Sequence, residues 1–367
     1  MSQTADQGDA RATLGKLPTY VVVMLGVAVT LVTLFLMQQF SSVVAPVFMA
    51  LNLVIAAYPI HRWLVSKGTP AWLAACVMAL AVIVILLAAV AALVWSVSSL
   101  VSELQKYSAQ YLEIYHNTTQ FLARFGINVN TTGFSDIFNV INPSTITGAI
   151  TTVLSSASGI LGVVAVILAS LIFLAMDAPS MHRRVRIATV VQPHLGRALD
   201  DFTGGVRKYW IVTTIFGLII AILDGVALWI LGVPLPLVWA VLSFITNYIP
   251  TVGFFIGLAP PALLALFVSG WKVALIVIIV YCVLNFVVQT IIQPRVAGES
   301  VGLSVTISFF SLLLWGFVLG PLGTLLALPM TLLVKALLVD CDPKARWVNA
   351  LIDSEPGDAL DEAKPAT

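Results

Sequence analysis

Apolar residues fill this chain in long runs separated by polar connections, at positions 20–37, 43–60, 71–98, 154–176, 210–231, 235–268, 273–292 and 303–334. A helix needs about 20 apolar residues to cross a bilayer, and six of the runs have that ordinary spanning length. The sixth and eighth are too long for one helix and are interrupted by helix breakers. The sixth holds Pro250, Gly253, Gly257, Pro260 and Pro261, and the eighth holds Gly316, Gly320, Pro321, Gly323 and Pro329. In each, a Pro is followed within two or three residues by a Gly and within eight or ten by a second Pro. One reading is a pair of helical hairpins that turn at membrane depth and leave on the side they entered. The other is two kinked spanning helices. Either way the pattern predicts an all-α polytopic membrane protein with about six to eight transmembrane helices, two of them Pro/Gly-broken.

The polar stretches have their own periodicity. Between Ser99 and Val153, Leu100, Leu104, Tyr107, Tyr111, Ile114, Thr118, Phe121 and Phe125 recur every three or four residues, with Glu103, Lys106, Gln110 and Glu113 between them. That spacing predicts an amphipathic helix continuing the third span out of the membrane. A second short helix is expected around 135–141, stopping at Asn142-Pro143. The 177–208 stretch is amphipathic too. Residues 1–18 read as a disordered cytoplasmic tail, 19–338 as the membrane domain, and 339–367 as a cytoplasmic tail. The first run, preceded by Arg11 and Lys16, is followed at once by a second span, so it reads as an uncleaved helix rather than a signal peptide.

Loop charge sets the expected orientation. The 177–208 segment carries Arg183, Arg184, Arg186, Arg197, Arg207 and Lys208, whereas 99–153 carries only Lys106 and Arg124 among its bases. Both termini and the 177–208 segment are therefore expected in the cytoplasm and 99–153 outside. Arg295 also falls inside if the two broken runs are hairpins, which the charge rule prefers.

Composition narrows the function classes. The chain is 60% hydrophobic and 10% charged, far below the roughly 25% charge of soluble domains. Its net charge of +1 comes with no basic-aromatic surface stretch, which argues against nucleic acid as a partner. Cys76, Cys282 and Cys341 are far apart, and the first two lie in apolar runs, where they read as small core residues. No phosphate-binding loop is present, so direct use of ATP is not expected. The four histidines show no metal-ligand spacing, and no cofactor is implied.

Three features remain as candidate chemistry. Between Lys208 and Lys272, 63 residues contain one charged side chain, Asp224. An ionisable residue in a span is by default a functional candidate, although Asp224 lies near a helix end, where it has the alternatives of interfacial water or capping a neighbour. The stretch Asn247-Tyr248-Ile249-Pro250-Thr251-Val252-Gly253 is the second feature. Pro250 frees the carbonyl of Thr246, Gly253 permits a sharp turn, and Asn247 adds an amide that both donates and accepts. The third is Asn285, Gln289 and Gln293, stepping by four along one helix face, followed by Pro294, Arg295, Gly298 and Glu299. A polar stripe of this kind faces a bundle interior, as interhelical glue or as a solute pathway.

The Asn247–Gly253 block, the block Gln293-Pro294-Arg295-Val296-Ala297-Gly298-Glu299-Ser300-Val301-Gly302-Leu303, and the pairs Gly320-Pro321 and Leu328-Pro329 resemble, in order and spacing, the hallmark blocks of the AI-2E family. The resemblance runs from the first span to about Leu338. It implies a bacterial inner-membrane permease independent of ATP, assembled as a homo-oligomer, with a pentamer the expected arrangement. The family takes its name from export of the quorum signal autoinducer-2, and some relatives resemble Na⁺(Li⁺)/H⁺ antiporters. Two departures bear on coupling. Many members carry an acid in the span before the Gln-Pro-Arg block, where this chain has only amides and apolar residues. The Tyr-x-x-Gly-Gln pattern of the fifth span reads Tyr209–Gly217 here, without the Gln.

Three functions are carried forward. The first is export of a small polar solute such as autoinducer-2 or a related metabolite, with Asn247, Pro250, Gly253, Asn285, Gln289, Gln293 and Arg295 along its pathway. Pro294, Gly298, Gly320, Pro321 and Gly323 would serve as hinges. The second is cation/proton antiport using Asp224 or Glu299, with a monovalent cation as substrate. The third is a non-transporting membrane scaffold.

Overall fold

The structure, a computed structural model, describes residues 18–106, 120, 124, 144–145, 148, 157–249, 252–293, 303–342 and 345–352. The expected helix over 107–125 apart from 120 and 124, the one over 135–141, residues 1–17 and 353–367, and Pro250, Pro294, Arg295, Gly298 and Glu299 lie outside these residues.

Every described element of length is helical. In chain order they are α1 (Thr19–Gln39), α2 (Ser41–Ser66), α3 (Ala71–Lys106), α4 (Ala157–Val191), α5 (Pro193–Ile230), α6 (Pro236–Thr246), α7 (Val252–Ser269), α8 (Trp271–Asn285), α9 (Val305–Leu325) and α10 (Ala327–Lys335). Helix α8 continues as a π-helical segment, Phe286–Ile292. Each of the eight apolar runs becomes one helix or a pair. Among the described residues, seven helices are long and apolar enough to cross a membrane, and the abundance of exposed Leu, Ile, Val and Phe fits a surface solvated by lipid. The protein is a multi-pass membrane protein.

Both broken runs fold back on themselves. Helix α6 has 11 residues, about 16 Å of rise, half the thickness of a bilayer core. It packs against α7 after the break at 247–251. Gly257 approaches Ser243 so closely that a Cβ there would lie 3.6 Å from the Ser243 Cα. Residues 14 apart in one straight helix would be about 21 Å apart. In the second run, Gly320 adopts φ 69° and ψ −151°, a conformation that belongs to glycine, and Pro321 follows it. The limbs then meet. The Ser311 hydroxyl donates to the Ala327 carbonyl at 2.8 Å and also bonds Thr331, and Trp315 Nε1 donates to Thr331 Oγ1 at 3.0 Å. Helical hairpins, not kinked spans, account for these contacts.

Helix α5 is the spine between two cores. Its first half contributes Ala198, Phe202, Val206, Tyr209 and Trp210 to a core with α2, α4, α10 and the second hairpin. Its second half contributes Leu228 to a core with Trp239, Leu264, Val277 and Tyr281. Between the two, Val212, Phe216 and Ile220 pack with Val288 of the π segment. At 38 residues, or about 57 Å, α5 exceeds a bilayer core. Its charged first turns therefore extend beyond the apolar layer. The turn into α6 is set by Gly232 at φ 71° and Leu235 at φ 59°. Fully buried Trp239 anchors it by donating to the Pro234 carbonyl at 2.8 Å.

Candidate functional site

The tip of the first hairpin lies against the middle of α5. Tyr209, Thr213, Gly217 and Asp224 follow one another at three- and four-residue steps or their sum, and so share one face of that helix. Gly217 permits the approach: a Cβ there would sit 2.7 Å from Asn247 Nδ2. Asn247 donates to the Thr213 carbonyl at 3.4 Å. Next to it, the Tyr248 hydroxyl bonds Thr214 Oγ1 at 2.8 Å, and the Tyr209 hydroxyl donates to the Tyr248 carbonyl at 3.3 Å. The Tyr248 ring also packs on Trp210, with centroids 5.5 Å apart. The tip is thus held on α5 by polar bonds and an aromatic contact, with no ion pair among those described.

The amides meet at this tip. Gln289 Nε2 donates to Asn247 Oδ1 and to Asn285 Oδ1, at 3.1 Å each, and Asn285 Nδ2 donates to the Tyr281 carbonyl at 3.0 Å. Asn247, from the first hairpin, and Asn285 and Gln289, from the next span, therefore form one chain of hydrogen bonds. Gln289 lies in the π segment, whose wider turn departs from the α-helical stepping assumed for the stripe. Gln293 lies half-buried just past that segment and takes no part in this chain. Wide π turns recur at functional sites because they re-aim side chains.

Gly253, on the returning limb, closes the hairpin base to base. A Cβ at this position would lie 1.8 Å from the Thr246 carbonyl oxygen. Behind the amides, Ser243, Thr246, Asn247, Gly253, Phe254, Gly257, Tyr281 and Asn285 surround a cavity of about 10 Å³. That is room for one water at most.

Asp224 lies deeper than the sequence position implied. It is fully buried in the protein, and its one hydrogen-bond partner is a side chain rather than a helix end. Its Oδ2 accepts from Ser243 Oγ at 2.5 Å, while Oδ1 has no protein partner. The Tyr281 hydroxyl, also buried, lacks a partner as well. Ser243, Tyr281, Thr213 and Thr214 were not singled out by sequence reading, and Tyr248 entered it only as a member of the Asn247–Gly253 stretch. Their signal was spacing: Tyr281 lies four residues before Asn285, and Thr213 lies four before Gly217.

Gly320, Pro321 and Gly323 form the tip of the second hairpin, away from the amides. Helix α9, which carries it, packs on α1 and α2, and Gln38 of α1 donates to the Phe317 carbonyl at 3.4 Å. Here again a glycine closes the limbs: a Cβ at Gly323 would lie 2.0 Å from the Trp315 carbonyl oxygen. Among the described residues, no three His, Cys, Asp or Glu side chains group as metal ligands.

A helical membrane protein with a polar cluster at the tip of a broken hairpin has the architecture of a transporter. The model of the AI-2E family transporters matches residues 19–341, and the chain belongs to that family. The AI-2 transport protein TqsA of Escherichia coli K12 is 26% identical over 319 residues, which cover 87% of this chain and 91% of TqsA. A candidate transport protein of Haemophilus influenzae is 28% identical over 340 residues, 90% of this chain and 96% of its own length. YhhT, a candidate transport protein of E. coli K12, is 26% identical over 321 residues, 87% of this chain and 88% of its own.

Proposed function

We propose that this protein is an ATP-independent secondary transporter of the bacterial inner membrane that exports a small polar solute such as autoinducer-2 or a related metabolite. The observation that carries the reading is the joined amide set Asn247, Asn285 and Gln289 at the hairpin tip. Amides offer donors and acceptors without charge, which suits a hydroxylated or carbonyl-bearing neutral solute. TqsA, named for AI-2 transport, supports the same substrate class. The cavity behind the amides is too small for such a solute, so the described state is closed. Loading requires the tip to part from α5 and the π segment, exchanging Gln289–Asn247 and Asn247–Thr213 bonds for bonds to the solute. The hairpin break supplies the hinge. The assembly we favour is a homo-oligomer, specifically a pentamer, with both termini in the cytoplasm.

Flux of autoinducer-2 into or out of proteoliposomes tests the reading. Gln289→Leu removes both amide bonds that Gln289 donates, and Asn247→Leu removes the Gln289–Asn247 and Asn247–Thr213 bonds. Each is expected to lower flux by tenfold or more at equal reconstituted yield. Wild-type protein that moves no autoinducer-2 in either direction overturns the substrate class.

A further inference from the structure

Two buried oxygens next to the amide cluster have no hydrogen-bond partner. Asp224 is 0% exposed and Tyr281 1% exposed. Asp224 Oδ1 and the Tyr281 hydroxyl both lack a hydrogen bond, and Ser243 stands between them, donating to Asp224 Oδ2 and lining one small cavity with Tyr281. Asn247 and Asn285 line that one-water cavity as well. A buried carboxylate without a countercharge is costly, and none is at hand. The hairpin over residues 236–249 and 252–269 carries one titratable side chain, Tyr248, which bonds Thr214. On α8 the groups are Lys272, nine residues before Tyr281, and exposed Cys282. On α3, which packs on α6, Glu103 pairs with Lys106 at 2.7 Å. The charged residues of α2, α4 and α10 belong to elements that share a core with positions 198–210 of α5, about 21 Å or more along that helix from Asp224.

We propose that Asp224 is the proton site of the transport cycle, binding a proton on Oδ1 near the Tyr281 hydroxyl while Ser243 holds Oδ2. This rests on the transporter reading of the neighbouring amides. The site suits a proton rather than an alkali ion, because an alkali ion asks for several oxygen ligands together. Here the surrounding backbone carbonyls are engaged in helical bonds, and that of Thr246 accepts from Ile249 N–H. A proton needs one carboxylate oxygen and one acceptor.

The coupling follows from Ser243 and Asn247 lying on one hairpin. With the proton on, the acid is neutral and the closed hairpin is favoured. When the tip lifts to admit solute, water reaches the carboxyl, and the proton leaves from Oδ1 to that water. The carboxylate that remains opposes reclosure until a proton returns. Solute and proton therefore alternate, and a proton moving in drives a solute molecule out.

The full-length protein in proteoliposomes tests this, with autoinducer-2 as solute and an internal pH-sensitive dye for protons. An imposed pH gradient is expected to raise opposed autoinducer-2 flux by tenfold or more, with matching proton movement. Asp224→Asn should lose that response by tenfold or more, and Asp224→Glu should keep it. Tyr281→Phe, the variant that decides if Asp224→Asn does not reconstitute, should shift the midpoint of the pH profile by about one unit, the order of one hydrogen bond to an ionisable group. A gradient response retained in Asp224→Asn, an unshifted midpoint in Tyr281→Phe, or drive by Na⁺ in place of pH overturns the proton site. Autoinducer-2 flux indifferent to pH overturns it too, while leaving the solute reading standing. Asp224-dependent proton movement without autoinducer-2 flux supports the site and removes the solute.

Discussion

At the scale of single residues, the glycines of the two hairpins carry more of the architecture than the prolines beside them. Gly253 and Gly323 are the points where a returning limb touches the carbonyl of the outgoing one. Cβ positions 1.8 Å and 2.0 Å from those oxygens leave no room for any side chain. Gly320 is constrained differently, by a backbone conformation that other residues reach only at about 1–3 kcal/mol. Gly253→Ala and Gly320→Ala should each lower the melting temperature of the detergent-solubilised protein by roughly 3 °C or more. Gly26→Ala, with open space around it inside α1, should be neutral or slightly stabilising. Equal melting temperatures for all three would mean that the hairpins are not closed as described. The side chains at the tip follow the same logic. Asn247 is useful because Gly217 lets it reach the backbone of α5, and a larger residue at Gly217 would push the amide away.

At the scale of elements, the first hairpin is the part whose movement the cavity demands. Its limb α6 is fastened along α5 from Gly225, opposite Ala240, to Gly217, opposite Asn247. At Gly225 a Cβ would lie 2.9 Å from the Ala240 Cβ, so the two helices must part by about 1 Å to reach the roughly 3.5–4.5 Å span that a disulfide bridges. In a background freed of Cys76, Cys282 and Cys341, the pair Gly225→Cys and Ala240→Cys should form a bond under oxidation. Transport should then fall by tenfold or more and return on reduction. Full flux through the oxidised, cross-linked protein would show that α6 stays on α5 throughout the cycle. The second hairpin borders a wider cavity of about 580 Å³, but apart from Ser311 and Thr331 its lining is apolar, with Ile307, Phe310, Leu314 and Phe317. The hydroxyls of buried Ser311 and half-buried Thr331 are spent on each other, on Ala327 and on Trp315.

At the scale of the whole molecule, two cores joined by one long helix place the polar cluster near the middle of α5 rather than at either end. Burial there is also what leaves Asp224 without solvent. The charge distribution predicts which side is which: six basic residues between 183 and 208 belong in the cytoplasm, and 99–153 belongs outside. Single cysteines placed in these two segments should react with a membrane-impermeant maleimide from opposite faces. Labelling of 183–208 from the periplasm, with 99–153 spared, would reverse the orientation.

Much of this was legible in the residues. A chain with so few charges has to satisfy its backbone within helices when it crosses lipid, so apolar runs and breakers together determined the all-α class and located both broken segments. The Pro and Gly spacing located the tips, because those residues act on the backbone at their own positions. Side-chain partnership across the fold was not legible. That Asn247 meets Gln289, 42 residues away, depends on how α8 packs beside the hairpin, and that Gln293 falls off the stripe depends on a π turn that no local preference announced. The depth of Asp224 was likewise decided only in three dimensions. Position along a helix measures distance from its end, whereas exposure depends on what packs against that face. Ser243 and Tyr281 arrive there from elements 19 and 57 residues further along the chain.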